Sequence, residues 1–185
     1  MEMKIIRISL IARLFVVCFS FSLQSAQVTI PVTKTATLDS SDKDSGCLLF
    51  KFDLPEGLNG AFIDYAELLF QVEPEPSTSR RVVLGGFPLT KEWNEDNLSW
   101  TDIGSAYIDT LMATCLSSKQ QDGLTSLDIT EIARLWAEGK TSNFGLILRD
   151  LDRRDGKLKL EQSSHFSEGM KAEVRIFYTA SQIKK

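Results

Sequence analysis

From Val28 onward, apolar side chains recur at every second position. Val28, Ile30 and Val32 form one row, Leu48, Phe50 and Phe52 a second, and Ala66, Leu68, Phe70 and Val72 a third. Leu146 and Leu148, Leu158 and Leu160, and Val174, Ile176 and Tyr178 continue the pattern. Period two is the mark of a strand with one face on a core and the other in water. Turn formers separate the rows: Pro55 with Gly57, the stretch 74–79, Asp122-Gly123 and Asp155-Gly156. Many short strands with regular turns predict an antiparallel β-sandwich. Residues 82–87 predict one more strand, with a bulge or bend at Gly85-Gly86.

The period changes once. Ile129, Ile132, Ala133 and Trp136 are spaced i, i+3, i+4 and i+7, the apolar stripe of a short helix. Asp128 and Glu131 have capping-box spacing at its start, and Gly139 suits its C-terminal stop. The stripe predicts that Trp136 packs the helix onto the sandwich.

The first 26 residues stand apart. Lys4, Arg7 and Arg13 precede an apolar run over residues 14–23, followed by small and polar residues. That order predicts a secretory signal peptide, and the run is too short for the roughly 20 residues that span a bilayer. The expected organisation is a signal over 1–26 and one domain over 27–185. Removing the signal takes three basic residues and one acidic from totals of 21 and 25. The remaining 18 and 24 give a formal charge of −6, which disfavours nucleic acid as a partner. Export also gives meaning to Cys47 and Cys115: an even pair outside the cytosol suggests a disulfide, with two buried thiols as the alternative.

Motifs for catalysis are missing. The sequence has one histidine, His165, and no nucleophile elbow, zinc-protease helix or phosphate loop. The chain therefore reads as a binder rather than an enzyme and needs no cofactor. Asp39, Asp42 and Asp44 share one loop and offer oxygens for a weak calcium ion, without the spacing of an EF-hand. Trp93 and Trp100 bracket an acidic stretch, "WNEDNLSW". They read as framework residues holding a loop, or alternatively as a flat platform for a sugar ring. The clearest candidate for an anionic ligand is "LRDLDRRDGKLKL", with Arg149, Arg153, Arg154, Lys157 and Lys159. If the strands around residues 148 and 158 pair, these cations converge on one wet surface, where guanidinium forks match carboxylates.

Three segments in order carry a family resemblance. "LLFKFDLPEGLNGAFIDYAELLFQV", "EWNEDNLSW" and "LDITEIARLWAEGKTSNFGLIL" resemble the DNRLRE domains, through Trp93, Glu95, Ser99, Trp100, Asp128, Thr130, Trp136, Gly139, Asn143 and Gly145. "AEVRIFYT" is similar to their closing strand, so the likeness covers roughly residues 28–180. It implies a jelly-roll sandwich of secreted proteins, some of which bind acidic polysaccharides such as alginate. The expectation is a secreted, extracellular or cell-surface, non-catalytic module for a uronate-containing polysaccharide. A structural or adhesive surface protein is the alternative, and a polysaccharide hydrolase or lyase ranks below both.

Overall fold

A computed structural model describes residues 24–39, 46–72, 82–110, 113–117, 124–151 and 171–180. Nine strands make up most of it: β1 (Gln24–Pro31), β2 (Lys34–Asp39), β3 (Gly46–Lys51), β4 (Phe62–Phe70), β5 (Val82–Pro88), β6 (Ala113–Ser117), β7 (Thr125–Asp128), β8 (Leu146–Asp150) and β9 (Ala172–Ala180). They form two sheets, ordered β1-β9-β4-β7 and β2-β3-β8-β5-β6, and every pairing in both is antiparallel. Helices are few: a one-turn α1 (Trp100–Ile103) and α2 (Thr130–Ala137).

The alternating rows meet between the sheets. Ile30, Leu48, Phe50, Phe52, Ala66, Leu68, Phe70, Leu146, Leu148, Val174 and Ile176 lie in one buried cluster. This is the predicted inner face, strand by strand. Helix α2 closes the cluster with Ile132, Ala133 and Trp136, and Trp136 meets Phe52 edge-on at 5.6 Å. The strand at 158–160 lies outside the described residues.

The outer faces differ from the expectation of one wet side. In β3 the residues between the inward row, Cys47 and Leu49, are as buried as the row itself. Ile147 of β8 is buried too. These residues form a second cluster with Leu38, Phe87, Leu89, Trp93 and Ile103. The central strands of the five-stranded sheet are thus covered on both faces. Residues 89–107 supply the cover, and their ends are pinned by a Leu89–Tyr107 bridge and by the Thr90 amide donating to the Ala106 carbonyl at 2.9 Å.

Two glycine readings change as well. β5 runs through Gly85-Gly86 in unbroken register with both neighbours, so there is no bulge there. Gly86 is needed for room: a Cβ on it would sit 2.5 Å from Leu127 Cδ2. The bulge lies instead in β4, between Ile63 and Tyr65. Arg134 of α2 reaches it, its Nε donating to the Ile63 carbonyl at 2.8 Å. Gly145 enters β8 at φ +96°, where a Cβ would stand 2.2 Å from the Phe50 carbonyl oxygen.

The helix ends follow the sequence in part. The Asp128 carboxylate accepts from the Thr130 amide at 2.9 Å and its hydroxyl at 2.6 Å. Glu131 does not reach back to complete a box; it pairs with Arg134 at 2.6 Å. Gly139, at φ +67°, donates to the Trp136 carbonyl and Lys140 to that of Leu135, the paired bonds of a Schellman stop.

Candidate functional site

The Trp93–Trp100 segment is a clasp. Trp93 is 4% exposed, and its indole N–H donates to the Phe144 carbonyl at 3.0 Å. That carbonyl belongs to the turn into β8, where Asn143 donates to the Phe52 carbonyl at 2.9 Å and accepts from the Gly145 amide at 3.0 Å. Trp100 is half-buried against the same cluster. Lys51 of β3 holds the loop at Glu92 with a 2.9 Å ion pair, which keeps the Glu92 carboxyl below its ordinary range.

Arg149 belongs to this clasp. Its side chain emerges from β8 on the covered face, beside Ile147. The guanidinium lies 5.5 Å from the Trp100 ring and 5.5 Å from the Tyr107 ring. Its Nη1 donates to the Tyr107 hydroxyl at 2.7 Å. Arg149 is thus half-buried and engaged by the clasp, with part of its surface still in water. Arg153, Arg154, Lys157 and Lys159 lie outside the described residues, as do Asp42 and Asp44. Asp39 ends β2, opposite Gly46. Among the described residues no group of acidic, Cys or His side chains is arranged to hold a metal.

Cys47 and Cys115 are not joined. In the order β2-β3-β8-β5-β6, two strands separate Cys47 of β3 from Cys115 of β6. Three spacings of about 4.8 Å place them on the order of 14 Å apart, beyond the ~7 Å limit for a bridge. They also face opposite ways: Cys47 into the outer cluster, Cys115 against the inter-sheet core. Burial pushes the Cys115 thiol up to about 11.

The outer face of the four-stranded sheet is different. Along β4 it grades from exposed Phe62 and Tyr65 to Leu69, which is buried. Tyr65 of β4 stands directly opposite Phe177 of β9, with ring centroids 6.1 Å apart. Tyr65 is 37% exposed, and nearby Phe62 is 61% exposed beneath the Arg134 guanidinium at 5.1 Å. Glu67, two residues along, accepts from the Tyr65 hydroxyl at 3.3 Å and the Ser126 hydroxyl at 2.6 Å. Burial raises the Tyr65 hydroxyl above its ordinary value, and the charges of Glu67 and Asp128 add to the rise.

Tyr65 also forms one lip of a cleft of about 600 Å³. Asp64 and Tyr65 of the β4 bulge, Thr114 of β6, Asp128 of β7, and Thr130 and Glu131 of α2 line it. Two bonds tie its floor together: the Ile129 amide to the Ala66 carbonyl at 2.9 Å and the Ala66 amide to the Thr130 hydroxyl at 3.0 Å. The arrangement offers two aromatic faces, hydroxyls, and carboxylate acceptors on a rigid sheet. Such groups bind a pyranose through its C–H face and its hydroxyl donors.

None of the known protein-family models matches the chain, and no curated protein matches it either.

Proposed function

We propose that the chain is a secreted, non-catalytic carbohydrate-binding module of jelly-roll type. The observation that carries this reading is Tyr65, exposed at the lip of the cleft and packed against half-buried Phe177. Large apolar rings are normally buried, and exposed rings such as Tyr65 and Phe62 among hydrogen-bonding groups support a binding surface over a structural one. The carboxylates of the cleft already have partners in the scaffold. Asp128 accepts from Thr130, Glu131 pairs with Arg134, and Asp64 accepts from the Thr179 hydroxyl at 2.8 Å. Acids so engaged can serve as fixed acceptors for sugar hydroxyls, which supports reading the cleft as a binding site. The resemblance to DNRLRE domains points the same way; of the residues that carry it, Asp128 and Thr130 line the cleft, while Trp93, Asn143 and Gly145 hold the clasp on the other sheet.

The test is retention of the protein expressed from residue 24 on immobilised polysaccharides. Tyr65→Ala and Phe177→Ala should each abolish retention while keeping the wild-type far-UV spectrum and a melting temperature within a few degrees. No retention of the wild type on any neutral, acidic or amino polysaccharide would reject this reading and leave a structural role.

A further inference from the structure

Resting on that reading, we infer that the Tyr65 face takes an uncharged polysaccharide and turns away uronates. The charge layout carries the inference. Across the strands, Arg175, Glu67 and Asp128 stand in one row of the sheet, with Glu67 directly opposite Asp128. Like charges facing across a strand pair repel. Arg175, opposite Glu67, forms its ion pair with Glu173 at 2.7 Å and none with Glu67. Arg134, the other cation at the rim, is committed to Glu131 at 2.6 Å and to the Ile63 carbonyl. Among the described residues, Asp64, Glu67 and Asp128 have hydrogen-bond donors and no ion pair.

A ligand at Tyr65 therefore meets aromatic carbon, hydroxyls and an excess of negative acceptors. Sugar hydroxyls are donors and complete that set. A uronate adds a carboxylate that, among the described residues, finds no uncommitted cation, only charges of its own sign at close range. Nothing in the binding of a neutral glycan depends on screening, so its affinity is insensitive to salt.

The experiment is affinity electrophoresis in xylan, mixed-linkage β-glucan, galactomannan, polygalacturonate and alginate, each at low and high sodium chloride. Retardation by at least one neutral gel, unchanged by salt and lost in Tyr65→Ala, is the expected result. The Glu67→Gln, Asp128→Asn double variant should gain affinity for polygalacturonate at least several-fold; Asp128→Asn keeps an oxygen for the Thr130 amide, and a melting curve checks its fold. Binding of polygalacturonate or alginate by the wild type that is lost in Tyr65→Ala overturns the inference and leaves the module intact. Uronate binding that ignores Tyr65→Ala but fails in Arg153→Ala, Arg154→Ala, with no neutral glycan bound, overturns it in favour of the basic segment. Absence of binding to every gel removes the proposed function itself.

Discussion

A single arginine shows how a residue's chemistry is set by what covers it. Arg149 follows three core residues of β8, and alternation alone puts it on the face away from the sandwich. There, half-buried, it meets two aromatic rings and a phenol hydroxyl. A hydrogen bond to a charged group contributes about 1.5–3 kcal/mol, and each cation–ring contact about 0.5–1 kcal/mol where partly exposed. Arg149→Ala should therefore destabilise the fold by roughly 2–3 kcal/mol, read as a lower urea midpoint. Arg149→Lys should recover only part of that, since ammonium cannot stack on both rings while bonding Tyr107. A wild-type midpoint for Arg149→Ala would return the side chain to the pool of ligand-binding cations. Cys115 gives a second test at this scale. Its thiol ionises near 11 in the fold against an ordinary value of 9. Between those values the unfolded chain has lost the proton while the folded chain keeps it. Its contribution to stability is thus complete below pH 9 and falls as pH rises towards 11. Cys115→Ser should flatten the alkaline limb of the stability profile, and its alkylation in the native protein should be slow at pH 8.

At the scale of elements, α2 joins the two readings of this chain. It is amphipathic as the spacing demands, and it also builds the cleft. Trp136→Ala should cost about 3–5 kcal/mol by emptying the contact with Phe52. Asp128→Ala should cost about 1 kcal/mol, because it releases the first turn of the helix. Thermal denaturation distinguishes the two, and equal shifts would contradict the packing assigned to Trp136. The inward rows of β1, β4 and β9 were legible because burial of one face imposes alternation, and those of β3 and β8 were read although both of their faces are buried. Strands β2, β6 and β7 were not. Thr35, Thr37, Thr114 and Ser126 dilute their apolar signal, and pairing with neighbours makes them strands. The burial of Cys47, Leu49 and Ile147 was also hidden, since it depends on a distant loop folding back. The Tyr65 face was partly legible: Tyr65 and Glu67 alternate with Ala66 and Leu68, as do Arg175 and Phe177 with Ile176. Their adjacency was not, because the bulge at Ile63/Tyr65 and the β4–β9 register are long-range facts.

For the whole molecule, the two sheets are unequal partners. The five-stranded sheet is sealed on both faces at its central strands, while the four-stranded sheet exposes Phe62 and Tyr65 on its outer side. The sealed sheet has at its centre β3 and β8, paired with each other and fully buried over Leu48, Leu49, Ile147 and Leu148. Their amides can meet water only if the clasp lifts and the sheets part together. Local opening free energies scale with such burial, and the most protected amides report global unfolding. Native-state hydrogen exchange should therefore find β3 and β8 the slowest elements, and edge strands β1, β2, β6 and β7 faster. Trp93→Ala removes the buried anchor of the clasp and should cost about 3–5 kcal/mol. If the clasp and the sheet form one cooperative unit, that variant should speed exchange in β3 and β8 by the full loss of global stability. Exchange in β3 and β8 that stays at the wild-type rate in Trp93→Ala, while residues 89–107 open alone, would show the clasp to be a separable cover.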